Sequence, residues 1–126
     1  MKSKLLTIVA LMTFIGNSYA DINCSGRDVG TGRNVTVEVS GNPLEISYSF
    51  NPGWGKLLVD VLENNLIQGE NDTYGNQPRV RGELEHNLRL AGGNNARLTL
   101  RTFDNYSNNA KKNVILLKCK GRVTLN

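Results

Sequence analysis

Ile115-Leu116-Leu117-Lys118-Cys119-Lys120-Gly121-Arg122-Val123-Thr124-Leu125 alternates with the period of a β-strand. Ile115, Leu117, Cys119, Gly121, Val123 and Leu125 share one parity, and Lys118, Lys120, Arg122 and Thr124 share the other. Successive strand side chains point to opposite faces, so this pattern describes a strand with one apolar and one solvated face. At the far end of the chain Ile22, Cys24 and Gly26 alternate with Asn23, Ser25 and Arg27 in the same way. Both cysteines fall on the apolar parity, where two side chains can meet in a core. An even pair of cysteines in an oxidising compartment reads as a bridge, so Cys24–Cys119 is the expected disulfide. Strands from opposite ends of a chain become core neighbours when a sheet closes on itself.

The sequence between them supports such a sheet. Val35, Val37 and Val39 alternate with Thr36, Glu38 and Ser40, and Leu44, Ile46, Tyr48 and Phe50 with Glu45, Ser47 and Ser49. The Gly41-Asn42-Pro43 turn signal between the two runs predicts a hairpin. Lys56–Ile67 is less regular: Leu57, Val59 and Val61 lie on one parity, and Leu58, Leu62 and Leu66 on the other. Its valines and flanking glycines favour one strand buried on both sides over a short helix. After a polar loop at Gly69–Pro78, the parity of Val80, Gly82, Leu84, His86, Leu88 and Leu90 predicts another strand. Gly92-Gly93-Asn94-Asn95 turns the chain, Leu98 and Leu100 mark the next strand, and a polar loop spans Asp104–Asn113. The expectation is an all-β domain, a small antiparallel β-barrel or closed β-sandwich of about seven or eight strands, with first and last strands joined by the disulfide.

The amino terminus reads as a cleavable secretory signal. Lys2 and Lys4 supply a basic start, Leu5–Ile15 an apolar run, and Ser18 and Ala20 small residues three and one places before Asp21. The apolar run is too short to cross a bilayer as a helix, and no later stretch qualifies. Asp21-Ile22-Asn23 before Cys24 is too polar for a lipoprotein processing site. Residues 1–20 are therefore expected to be removed, leaving 21–126 as a single domain in the periplasm or secreted, most simply from a bacterium.

Loss of Lys2 and Lys4 reduces 15 basic and 11 acidic residues to 13 against 11, a net of +2. That charge is unevenly placed. Residues 21–76 hold 3 basic and 8 acidic side chains, a net of −5, whereas 77–126 hold 10 and 3, a net of +7.

Little in the chain suits catalysis. His86 is the single histidine and lies on the apolar parity, the position of a core or cavity imidazole. No motif sets a nucleophile or an orienting acid beside it. With both cysteines committed and one imidazole remaining, a zinc site lacks ligands. Glu83 and Glu85, flanked by Arg81 and Arg89, read as an ion-pair ladder rather than a catalytic carboxylate pair. The Gly69-Glu70-Asn71-Asp72 loop lacks calcium-loop spacing, and the glycines of Gly26–Gly32 lack the ending of a phosphate-binding loop. The reading is a non-enzymatic binding protein without cofactor or metal.

Two features carry the binding expectation. Arg79, Arg81, Arg89, Arg97, Arg101, Lys118, Lys120 and Arg122 occupy outward parity, and form a basic stripe if the last three strands are neighbours. Such a stripe suits an anionic protein, glycan or lipid headgroup ahead of nucleic acid, unless the acidic first half of the chain compensates it. Trp54, within Asn51-Pro52-Gly53-Trp54-Gly55, either anchors a partner as an exposed aromatic or folds back to plug a barrel end. Tyr74 and Tyr106 complete an aromatic rim if their loops share its end. An alternative is a barrel carrying a small apolar or amphipathic ligand in a cavity lined by Tyr48, Leu84 and His86. A further alternative is a periplasmic inhibitor of a hydrolase, because the expected architecture resembles that of the small periplasmic lysozyme inhibitors, compact β domains with a disulfide. Their inhibitory loop motif is absent from this chain, and a net-positive protein is poorly matched to a basic lysozyme.

Overall fold

The computed structural model describes residues 19–50, 53–72, 78–86, 95–103 and 110–125. They form eight strands: β1 (Tyr19–Asp28), β2 (Asn34–Ser40), β3 (Glu45–Ser49), β4 (Trp54–Leu62), β5 (Leu66–Glu70), β6 (Arg79–His86), β7 (Asn95–Phe103) and β8 (Ala110–Thr124). Each pairs antiparallel with the next, and β8 returns to β1, so the sheet closes into an eight-stranded up-and-down barrel. Closure removes the exposed outer edges that an open sheet would leave. The closing ladder runs from Tyr19↔Thr124 to Asp28↔Ile115, and within it Cys24 stands directly opposite Cys119. The two are joined by a disulfide, with their Cα atoms 4.0 Å apart. The bridge thus crosses the seam of the barrel, as the shared parity of the two cysteines requires. Cleavage after Ala20 would leave Asp21–Asp28 of β1, which retains the bridge.

The interior is made by the alternation. Ile22, Val35, Val37, Val39, Ile46, Leu57, Ile67, Leu84, Leu98, Leu100, Ile115 and Leu117 are all buried. Burying each such side chain contributes roughly 1.5–3 kcal/mol of transfer free energy. Eight strands enclose a space just wide enough for side chains to fill. Gly69 and Gly82 face each other on β5 and β6, and Leu57 reaches into the hollow they leave: a Cβ at Gly82 would overlap Leu57 Cδ1, and one at Gly69 would lie 3.2 Å from Leu57 Cβ. The centre of the barrel is therefore packed, Leu84 fully buried within it. This packing gives no support to a ligand-filled interior.

Outward positions are mostly charged or polar, the reverse of a membrane barrel with its outward apolar band. No helix among the described residues is long and apolar enough to cross a membrane.

Three details differ from the sequence expectation. Lys56–Ile67 is not one strand but parts of two, β4 and β5, joined by a turn in which Glu63 N–H donates to the Leu66 carbonyl at 2.9 Å. The pairing of β4 with β5 shifts register between Val59 and Val61. One extra residue in a strand exchanges inward and outward positions beyond it, so Leu57 and Leu62 serve the same interior from opposite parities. The expected loop at Asp104–Asn113 is also shorter, since Ala110–Asn113 belong to β8. Asn113 points inward, where its Nδ2 donates to Oδ2 of Asp28 at 3.1 Å. Oδ1 of the buried Asp28 accepts from Gly30 N–H at 2.9 Å, tying the β1–β2 connection to the barrel end.

Strand direction sorts the connections. Those after β1, β3, β5 and β7 emerge at one end, and those after β2, β4 and β6 emerge at the other, where β1 begins and β8 ends. The connections expected to carry Tyr74 and Tyr106 thus leave the barrel at the end where Trp54 begins β4.

Candidate functional site

The basic residues of the last three strands divide into two groups. On β6 and β7 they meet acids. Arg81 makes a two-pronged bond to Asp60, at 2.8 and 2.9 Å, and also reaches Glu70 and Gln68. The hydrogen bond from Arg81 holds the Asp60 carboxyl below its ordinary value. Arg97 pairs with Glu85 at 2.6 Å, and Arg101 pairs with Glu83. Arg79 lies 3.8 Å from Glu70 and stacks on Phe103, 4.2 Å from the ring centre. Glu83 and Glu85 are ion-paired, but across to β7 rather than with the flanking Arg81: Glu85 stands opposite Arg97, and Glu83 reaches Arg101 diagonally. Such exposed pairs contribute about 0–1 kcal/mol each to stability. Their larger effect is to neutralise this part of the stripe.

Along β8 the charges stand open. Lys118, Lys120 and Arg122 are exposed, spaced about 7 Å apart along the outer face. No carboxylate among the described residues comes within ion-pair distance of Lys118, Lys120 or Arg122. Arg122 instead lies 5.9 Å from the centre of the Tyr19 ring. Closure brings β1 alongside, so Ser25 stands opposite Lys118, Asn23 opposite Lys120, Arg27 opposite Leu116 and the exposed Asp21 opposite Arg122, beyond ion-pair distance. Arg27 is exposed and joins the open cations. A groove of about 780 Å³ crosses this seam, lined in part by Arg27, Asn34, Thr36, Asn95, Leu116 and Lys118. It offers two cations, amides and a hydroxyl around Leu116, a residue 56% exposed. Arg27 was missing from the sequence reading of the stripe, although the disulfide parity contained it: a first strand beside the last must bring its outward residues to the same face.

Trp54 is 75% exposed, so it does not fold back to plug the barrel end. The plug at that end is made instead by Tyr48 and Phe50, packed edge to face with ring centres 5.7 Å apart. Tyr48 lies over Gly55, where a Cβ would overlap its ring, and burial raises its phenol pKa. Arg89, Tyr74 and Tyr106 lie outside the described residues.

His86 is buried on the inward face of β6, and burial lowers its pKa, which favours the neutral imidazole. No group of three or more metal-binding side chains occurs among the described residues. The chain matches no family model, and neither a curated protein nor a solved structure is significantly similar to it.

Proposed function

We propose that the chain is an exported, non-enzymatic binding protein that holds an anionic partner on the outer face of β1 and β8. The observation that carries this reading is the division of the charges: the arginines of β6 and β7 are matched by acids, whereas Arg27, Lys118, Lys120 and Arg122 make no ion pair among the described residues. Unmatched cations on a rigid surface raise the local concentration of an oppositely charged partner and steer its approach. The flanking Asn23, Ser25, Asn34, Thr36 and Asn95 favour a partner rich in hydroxyl and carbonyl groups, so an acidic glycan fits this face better than an apolar protein patch. Export is supported by the signal-like amino terminus, and by the disulfide, which persists in oxidising compartments.

The test is retention of the disulfide-bonded domain on an immobilised sulfated or uronic-acid polysaccharide, compared with an acidic peptide and with anionic vesicles. The proposal expects retention on the polysaccharide at low salt and release as added salt shortens the Debye length from about 10 Å at 0.1 M toward contact distances. Passage through the polysaccharide without retention, or retention indifferent to salt, refutes it.

A further inference from the structure

The cleavage expected after Ala20 cuts a bond that lies inside the closing ladder of the barrel. Tyr19 stands opposite Thr124, Ala20 opposite Val123 and Asp21 opposite Arg122. Ala20 is buried, whereas Asp21 is exposed on the outer face. Hydrolysis of the bond by an export-linked protease leaves a carboxylate on Ala20, which departs, and an amine on Asp21, which is protonated. Chain termini ordinarily fray unless something ties them down. Here the next residue, Ile22, is fully buried in the core, and Cys24 is bridged to Cys119 of β8. A chain that begins at Asp21 therefore keeps its first nitrogen in the ladder, one strand spacing of about 4.8 Å from Arg122. That nitrogen is then an ammonium rather than an amide.

We infer that cleavage after Ala20 completes the anion-binding face of β1 and β8, by adding the α-ammonium of Asp21 and uncovering Arg122. The inference rests on the reading of that face proposed above. Among the outward residues of β1 and β8 the one carboxylate is that of Asp21, beside the last cation of the row Lys118, Lys120, Arg122. An ammonium on the same residue offsets it, so the single acid of the face no longer opposes an incoming anion. Tyr19, whose ring centre lies 5.9 Å from the Arg122 guanidinium, leaves with the signal. The attraction of that ring for the cation is removed, and Arg122 is free to meet a ligand. The uncleaved chain keeps an amide at Asp21 and the ring beside Arg122, so it is the weaker binder. One event thus sets both release from the export path and full binding strength. The charged groups that face the new terminus are the Asp21 carboxylate on β1, Lys120 and Arg122 on β8, and Glu38 of β2, which stands opposite Asn23.

In the test the full chain is exported, the product is purified with its disulfide intact, and its first residue is read by mass spectrometry; Asp21 is expected. The folded product is then acetylated at its α-amine alone, at about pH 6.5, where an α-amine is deprotonated far more often than a lysine. In water a unit charge about 7 Å from an anionic group changes affinity by about threefold. Acetylation is therefore expected to weaken binding to a sulfated polysaccharide about threefold at low salt, with the circular dichroism spectrum unchanged. Raising the pH from about 6.5 to about 9 carries a free α-amine through its ordinary range of about 7.7–8.0. That change is expected to weaken the free form by a similar factor and to spare the acetylated form. A different first residue, or equal binding by the two forms at both pH values, overturns the inference while the anion-binding reading stands. Retention of neither form defeats that reading, and the inference falls with it.

Discussion

Replacing both bridge cysteines, as Cys24→Ala with Cys119→Ala, tests how much of the barrel's stability lies in its seam. The two residues are 95 apart in sequence, so the bridge closes nearly the whole domain in the denatured chain. In the chain-entropy model a loop of about 100 residues is worth ~4.7 kcal/mol at 25 °C. Both cysteines are buried, 6% and 3% exposed, so loss of their sulfur atoms leaves small voids that add to the cost. Alanine avoids placing a new hydroxyl in the core. A small domain has about 5–15 kcal/mol in total, so the double variant is expected to lose a third or more of its stability. With a urea m-value of about 1–1.5 kcal/mol/M, the midpoint should fall by roughly 3–5 M, read by tryptophan fluorescence and circular dichroism together. A fall of less than about 1 M would refute the reasoning. The β1–β8 ladder would then hold the ends together without the bridge, or the reduced denatured chain would already be compact.

Other outcomes follow from the core. Gly82→Ala drives a methyl group into Leu57 and within 3.2 Å of Leu100 Cδ2, so thermal unfolding should show a loss of about 1–3 kcal/mol, partly recovered by adding Leu57→Val. His86 has a folded pKa below its unfolded value, so protons bind preferentially to the unfolded chain. Its contribution is complete above the unfolded value near 6.5 and is lost as pH falls toward the folded one, at up to about 1.4 kcal/mol per pH unit. Urea titrations between pH 7.5 and 5 should show this slope, and His86→Gln should flatten it; an unchanged slope in the variant contradicts the assignment.

The fold was legible because its strands alternate. Val35–Val39 and Ile115–Val123 announce their inward faces residue by residue, and the parity of Cys24 and Cys119 gives the closure of the sheet. The β4–β5 hairpin was hidden by the register shift at Val59–Val61: one extra residue inverts the parity, so two strands resemble one buried on both sides. The binding surface was only half legible. Outward parity identifies Arg81 and Lys120 alike, but whether a cation is matched depends on neighbours distant in sequence. Asp60, at the register shift of β4, reaches across β5 to Arg81, whereas Lys120 stands opposite Asn23 on β1.

The division of the charges is tested most directly by two matched triple variants, each losing three positive charges. One carries Arg27→Gln, Lys118→Gln and Lys120→Gln; the other carries Arg81→Gln, Arg97→Gln and Arg101→Gln. Both are compared for retention on the immobilised acidic polysaccharide at about 0.1 M salt, where the Debye length is near 10 Å, with circular dichroism confirming the fold. The first set is expected to abolish retention and the second to leave most of it, since those arginines are already matched by Asp60, Glu85 and Glu83. Equal loss in both sets, or greater loss in the second, would contradict it.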